Sequence, residues 1–407
     1  MKNWVTKKLD EVCDLITCGV AAKPDYVDDG IPFLSAKNVK EGQIIWSGYN
    51  CISEKTHKEL TKNNKPLLGD ILYTRVGSYG EAAVIEDDNE FSVFVSLTLI
   101  KVDKTVLNNY FLKHYLNSDF VKRLAKKSIS SSGVGNLNVG TVREFPILVP
   151  TLPEQQRIVA ILDEAFAAIA KAKANAEQNL KNAKELFESY LQGVFENGNW
   201  ETRTIQEITK VINGYAFASK DFKSTNTIKS IKITNVGVKE FVEEVDNYLP
   251  EKFKDTLKEV QVREGNIVIA LTRTIISAGL KVAVVPASYD GALVNQRVAA
   301  LVPNEKIINQ RYLYNFLTTD GVAKYVLAHV NTLMQPNLSI NDLKNLPVPC
   351  PTIKEQSDIV KKLDGLRSEV RKLEAIYQQK INDLEELKKS VLQKAFSGEL
   401  KTATAVV

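Results

Sequence analysis

The chain has 407 residues, 44% of them hydrophobic and 25% charged, the composition of an ordinary soluble globular protein of about two to three domains. The net charge of +4, from 53 Lys+Arg against 49 Asp+Glu, is too mild to demand a polyanionic partner and does not oppose one. No run of about 18 apolar residues occurs, so no membrane span is expected. The segment "MKNWVTKKLDEV" lacks the apolar centre of a secretory leader, and Cys13, Cys18, Cys51 and Cys350 show no CxxC or zinc spacing and read as reduced cytosolic thiols.

In chain order, residues 31–39 ("IPFLSAKNV"), 69–80 ("GDILYTRVGSYG") and 91–102 ("FSVFVSLTLIKV") carry β-branched and aromatic residues between Gly, Asp and Asn breakers and predict strands. An aromatic-rich helix is expected near residues 108–127. A loop follows, then the Pro-marked connection "FPILVPTLP" at 145–153, which favours extended backbone. Residues 154–196 contain no Pro. Their apolar stripe runs Leu162, Phe166, Ile169, Ala176, Leu180, Ala183, Phe187, Tyr190 and Val194, with Lys173 in one stripe position. Steps of 3 and 4 make this a heptad seam on a helix about 60 Å long.

The second half repeats the first. Strand-like stretches recur at 228–237, 265–279 and 291–302, an aromatic helix near 309–330 and a Pro-marked junction at 346–352. The second long helix, 355–396, places Leu363, Leu366, Val370, Leu373, Tyr377, Ile381, Leu384, Leu387 and Val391 on its seam. "LPEQQRIVAILD" at 152–163 returns as "IKEQSDIVKKLD" at 353–364, and Leu186 returns as Leu387. Both pairs share an offset of 201 residues. Two copies of one unit imply a pseudo-two-fold internal repeat. A long helix with one apolar seam needs a partner, so the two helices are expected to pair antiparallel as a coiled coil with a mixed α/β head at either end. The fold class is α+β. Boundaries are expected at 1–150 and 198–350 for the heads, 151–197 and 351–400 for the spacer helices, and 401–407 for a tail.

No catalytic constellation emerges. His57, His114 and His329 stand far apart without the companions of a triad or metal site, and His114 reads as a residue packed within an aromatic helix. "GVGNLN" at 133–138 is not GxGxxG, no GxxxxGK[ST] occurs, and the acidic "IEDDNE" at 85–90 reads as a solvated turn. These features point to a binding or scaffolding protein rather than an enzyme.

The two junctions, "NLNVGTVREFPILVPTLPEQQRIVAILD" (136–163) and "NLSINDLKNLPVPCPTIKEQSDIVKKLD" (337–364), resemble the specificity subunits of Type I restriction–modification systems. The resemblance covers nearly the whole chain. It implies that each head is a target-recognition domain reading one half of a bipartite, asymmetric sequence in double-stranded DNA. It further implies that the helices set the gap and dock two modification (methyltransferase) subunits, which two restriction subunits can join. On that resemblance this cytoplasmic chain is non-catalytic and holds no cofactor or metal, while S-adenosylmethionine, ATP and Mg2+ belong to the partners.

The residues themselves suggest contacts to DNA. Arg75, in the glycine-bounded "TRVGSYG", can offer a fork to guanine or phosphate, with Ser78 and Tyr79 beside it. Arg273 in "TRT" is the expected positional equivalent. Lys37 and Asn38 in "SAKNV", and Lys232 and Asn235 in "KITNV", close another strand pair. Ser131 and Asn136 lie in one loop, and Gln335 and Asn337 in its counterpart, where backbone N–H groups suit phosphate. The competing structural reading is that these loops cap their own strands, and that Glu154, Gln155, Glu355 and Gln356 stabilise helix ends. Two functional alternatives remain: a protein-only scaffold without DNA, and a recognition chain for a system that methylates without restricting.

Overall fold

The computed structural model describes residues 4–77, 79–129, 135–243, 248–330 and 336–400. The chain divides into two compact units, Met1–Glu177 with Gln378–Val407, and Gln178–Tyr377.

The head of the first unit is built on a four-stranded antiparallel sheet ordered Cys13–Cys18, Leu97–Val102, Ile71–Thr74, Ala82–Val84. A three-stranded sheet, Asn50–Ile52, Ile31–Leu34, Ser92–Val93, lies beside it in chain order, its last pair parallel. A two-stranded ribbon pairs Val5–Lys8 with Pro146–Val149, which holds the Pro-marked connection to the start of the chain. The second unit repeats this plan. Its four strands are Thr209–Asn213, Val298–Pro303, Ile267–Ala270 and Val282–Val284. Its three are Tyr248–Leu249, Ile228–Ile231 and Leu293–Val294, and its ribbon pairs Thr202–Thr204 with Pro347–Pro349.

Two expected elements are broken in each unit, a strand and a helix. The run 91–102 is not one strand, because a turn with Leu97 N–H donating to the Phe94 carbonyl divides it between two sheets. The run 291–302 divides the same way, with Val298 N–H donating to the Asn295 carbonyl. The aromatic helix is two helices, Asn109–Leu116 and Asp119–Ser128, because the Ser118 hydroxyl caps a fresh N-terminus at Val121 N–H. Thr319 does the same between Gln310–Leu317 and Asp320–His329. A hydroxyl cap at such a break satisfies an N–H that a continuous helix would have bonded internally.

The long helices run Leu152–Glu196 and Ile353–Phe396. In the first unit one apolar core joins the head to the start of the first helix, through Ile158 and Leu162, and to the end of the second, through Leu392 and Ala395. Phe396 packs edge-on against Phe111 and Tyr115, each 5.2 Å away. In the second unit the roles exchange: Leu191 and Phe195 of the first helix and Val360 and Leu363 of the second enter one core. Phe195 meets Tyr312 at 5.2 Å and Phe316 at 5.4 Å. Start meets end in each unit, so the helices are antiparallel. Leu162, Ile169, Ala176 and Ala183 are buried at steps of seven. Tyr190, Leu373 and Leu387, expected on the seam, are exposed; toward the heads the buried positions shift to Leu191, Phe195, Leu392 and Ala395. A helix of 3.6 residues per turn drifts away from a strict heptad stripe, and the head takes over as the partner.

Candidate nucleic-acid interface

In the first unit three loops meet at the end of the four-stranded sheet. The turn Ala36–Asn38 is organised from within by Asn38, which is buried. Its side-chain oxygen accepts the Ser35 N–H at 3.1 Å, and its amide donates to the carbonyls of Ile45 and Ser47, both at 3.1 Å. That leaves Lys37 exposed at the turn. Ser96 ties this turn to the next strand end: its hydroxyl accepts from Ala36 N–H at 2.9 Å and its carbonyl from Arg75 N–H at 2.9 Å. The Arg75 carbonyl then accepts from Leu137 N–H at 2.8 Å, which brings in the third loop.

Arg75 does not present the expected fork. It is 7% exposed, and its guanidinium donates to the Leu137 carbonyl at 2.8 Å, the Val95 carbonyl at 3.1 Å and Asn136 Oδ1 at 3.0 Å. The cation fastens the three loops together and has no free edge for a base. Asn38 likewise closes its own turn. Asn136 is exposed apart from its bond with Arg75, and Tyr79 is half-buried against the head core. Ser78, Ser131 and Gln335 lie outside the described residues.

In the second unit Asn235 reproduces the Asn38 turn. It is buried, accepts from Lys232 N–H at 2.9 Å and donates to the Val242 carbonyl at 2.9 Å. Matching these bonds pairs Lys232 with Ser35, and Thr234 with Lys37, so the two lysines are not equivalent. The Lys232 ammonium sits 3.9 Å from the centre of the Phe222 ring, a cation–π contact. The arginines correct in the same way. Leu271 N–H donates to the Arg297 carbonyl at 2.8 Å, and the Leu271 carbonyl accepts from Leu338 N–H at 2.9 Å. These are the backbone bonds of Arg75, so Leu271 stands in its place. Arg273, two residues on, is exposed, with a left-handed φ of 49° and its N–H 3.4 Å from Asn337 Oδ1. The exposed Arg297 was missed by sequence reasoning. The polar triplet Asn295–Gln296–Arg297 interrupting an apolar run was the available signal.

Gln155 and Gln356 have a definite task. Each is fully buried at the start of a long helix. Gln155 accepts from Asn108 N–H at 2.7 Å and donates to the Val106 and Pro150 carbonyls, both at 2.9 Å. Gln356 accepts from Asn309 N–H at 2.7 Å and donates to the Ile307 carbonyl at 3.0 Å and the Pro351 carbonyl at 2.7 Å. The pair clasps each head to its helix. His114, buried beside Phe166, bonds Asp163 at 2.9 Å, and burial holds its imidazole well below the usual pKa despite that carboxylate. Among the described residues no group of three His, Cys, Asp or Glu could hold a metal ion, and no helix is long and apolar enough to cross a membrane.

The model of the Type I restriction modification DNA specificity domain matches residues 1–181 and again 197–386, so the chain belongs to that family, with two copies of its domain. It is 23% identical over 385 residues to the Type I restriction enzyme MjaVIII specificity subunit of Methanocaldococcus jannaschii, covering 91% of this chain and 86% of that protein. It is 23% identical over 438 residues to the EcoBI specificity subunit of Escherichia coli, covering 98% and 86%. Two solved structures share the fold. One, from work on complex assembly and conformational transition of the type I R-M system, superposes with a TM-score of 0.76 over 98% of this chain and 99% of that one at 18% identity. The HsdS subunit from Thermoanaerobacter tengcongensis gives 0.61 over 98% of each chain, also at 18% identity.

Proposed function

We propose that the chain is the DNA-recognition subunit of a type I restriction–modification enzyme, each head reading one half of a bipartite target. The observation that carries this reading is the loop cluster at the same sheet end of both heads, built on one backbone plan and bearing unlike side chains. Lys37 is offered by one, Arg273 and Arg297 by the other. Unlike loops on like scaffolds suit unlike half-sites, hence an asymmetric target. The helices act as the ruler between half-sites, which need a spacing near one helical turn, about 34 Å, for both heads to meet one face of the duplex.

The chain does no chemistry itself. Two modification subunits bring S-adenosylmethionine, and two restriction subunits bring ATP and Mg2+, all acting in the cytoplasm. The helices keep apolar side chains in the open for such docking: Leu186 is 52% exposed and its repeat partner Leu387 48%. Methyl transfer by purified components is the test. It should require this chain and the modification subunit together, and the affinity of their complex for duplex DNA should fall steeply with salt. Transfer by this chain alone contradicts the proposal, and affinity indifferent to salt favours a protein-only scaffold.

A further inference from the structure

The two heads differ most at one hairpin loop. Between Ile71–Thr74 and Ala82–Val84 the first head has seven residues, 75–81. Between Ile267–Ala270 and Val282–Val284 the second has eleven, 271–281. The added length forms a tongue of its own, with Ile275 paired to Leu280 and Ile276 to Gly279. We infer that this tongue, with Arg273 at its base and Arg297 on the adjoining strand end, is the element by which the second head reads a guanine in the major groove of double-stranded DNA. The inference rests on the DNA-recognition reading above and assigns it to particular side chains.

The tongue is fixed at its root. Thr274 is fully buried; its N–H donates to the Pro336 carbonyl at 3.1 Å and its carbonyl accepts from Lys281 N–H at 2.9 Å. Its hydroxyl accepts from Leu338 N–H at 3.3 Å. Leu271 and Leu280 on either side belong to the core of the unit. Beyond this root the tip is open, with Ile276 46% exposed and residues 277 and 278 exposed. A recognition group works when a rigid base holds an exposed tip.

Arg273 is held in a left-handed backbone that a bulky residue rarely adopts, where its N–H faces Asn337 Oδ1 and Thr272 bridges Asn337. Backbone strain at an exposed residue persists where its surroundings impose it, and such positions gather at functional sites. Arg297 precedes Val298, whose register partner is Ala270, so both arginines lie at one strand end. Among the described residues neither guanidinium makes a hydrogen bond or ion pair. At the matching strand end the described residues of the first head present no exposed arginine. Its counterpart of Arg297 is the buried Ser96, and its own arginine, Arg75, is turned into the fold. A major groove about 12 Å wide admits a two-stranded β ribbon, and the planar guanidinium matches guanine O6 and N7 with two parallel bonds held in a fixed fork, a geometry that lysine's flexible point charge does not impose.

The experiment produces the chain with its own modification subunit in cells lacking other DNA methylation and reads the methylated motif genome-wide. Wild type should yield a bipartite motif with at least one G·C pair in the half belonging to the second head. Arg273→Ala, Arg297→Ala and the two Arg→Lys variants are then compared. At least one arginine position should relax a guanine requirement, by roughly tenfold or more, in that half only, with the other half and the gap unchanged. The Lys variant at that position should relax it too while methylation continues, which also decides the matter if an Ala variant misfolds. A full set of variants that keep the original motif overturns the inference. So does a second half without G·C pairs, or loss of all methylation in variants that melt like wild type, which marks a phosphate anchor. A wild-type complex that methylates no bipartite motif overturns instead the DNA reading beneath it.

Discussion

The two units agree at the glutamine clasps and the aromatic slot that hold each head on its helix, and diverge at the strand ends and at one neighbouring head–helix contact. Gln155 and Gln356 make the same three kinds of bond to the same backbone positions. Phe396 and Phe195 fill the same aromatic slot. A few residues away the chemistry changes. His114 and Asp163 correspond in the repeat to Asn315 and Asp364. There Arg367 donates to Asn315 at 2.8 Å and Arg311 to Asp364 at 2.6 Å. At the strand ends an inward arginine in one head answers two outward arginines in the other. A buried polar group must keep its partners because an unmatched donor or acceptor is costly, whereas an exposed one is free to vary with the ligand.

The sharpest break of that comparison is at the clasps. Gln155→Leu strands a buried N–H and two carbonyls and should cost about 2–4 kcal/mol, and Gln356→Leu should cost a similar amount. Hydrogen exchange should show each loss confined to its own unit; unequal losses would mean that the clasps are not equivalent. Arg75→Ala should cost roughly 1.5–3 kcal/mol by releasing three loops, while Arg273→Ala, an exposed change, should stay within about 0.5 kcal/mol. Chemical denaturation measures both, and similar values would erase the proposed division between an inward and an outward arginine.

His114 separates the units by pH. Its folded pKa is depressed, so as pH falls below the ordinary 6.5 the unfolded chain takes up the proton first. Stability contributed by the neutral buried ring is therefore complete above that value and is lost as pH drops towards about 4. His114→Gln should flatten this fall in melting temperature, and an unchanged slope would place the acid sensitivity elsewhere. The smallest effect belongs to Lys173, which bridges to Glu385 across the paired helices at 2.7 Å. The two side chains are 37% and 53% exposed, so Lys173→Gln should lower the melting temperature by less than about 2 °C and by nothing measurable in 1 M salt.

Much of this was legible in the sequence. The repeat, the long helices and their antiparallel pairing follow from one offset and one apolar stripe, because periodicity reports which face of a helix is buried. The seam departs from the expected stripe at Tyr190 and Leu387, where each helix leaves its partner for a head, and at Leu373 in mid-helix, which is exposed between the buried Val370 and Ile381. The site was less legible. The doublet "TR" at 74–75 and 272–273 looks equivalent, yet strand pairing sets Leu271 opposite Arg75's role, and an insertion within a loop leaves no mark in such a doublet. Burial decided the rest: Asn38, Asn235 and Arg75 have the residue types that read DNA, but those same groups can close a turn from within. Arg297 was passed over as part of a strand that the structure divides.

The most direct test of two heads reading two half-sites exchanges residues 1–150 for the corresponding head of another specificity subunit of known motif. The chimera is expressed with its modification subunit, and methylated sites are sequenced. One half of the motif should become that of the donor, while the other half and the gap stay as they were. A change in both halves, or a single uninterrupted motif, would contradict the assignment of one half-site to each head.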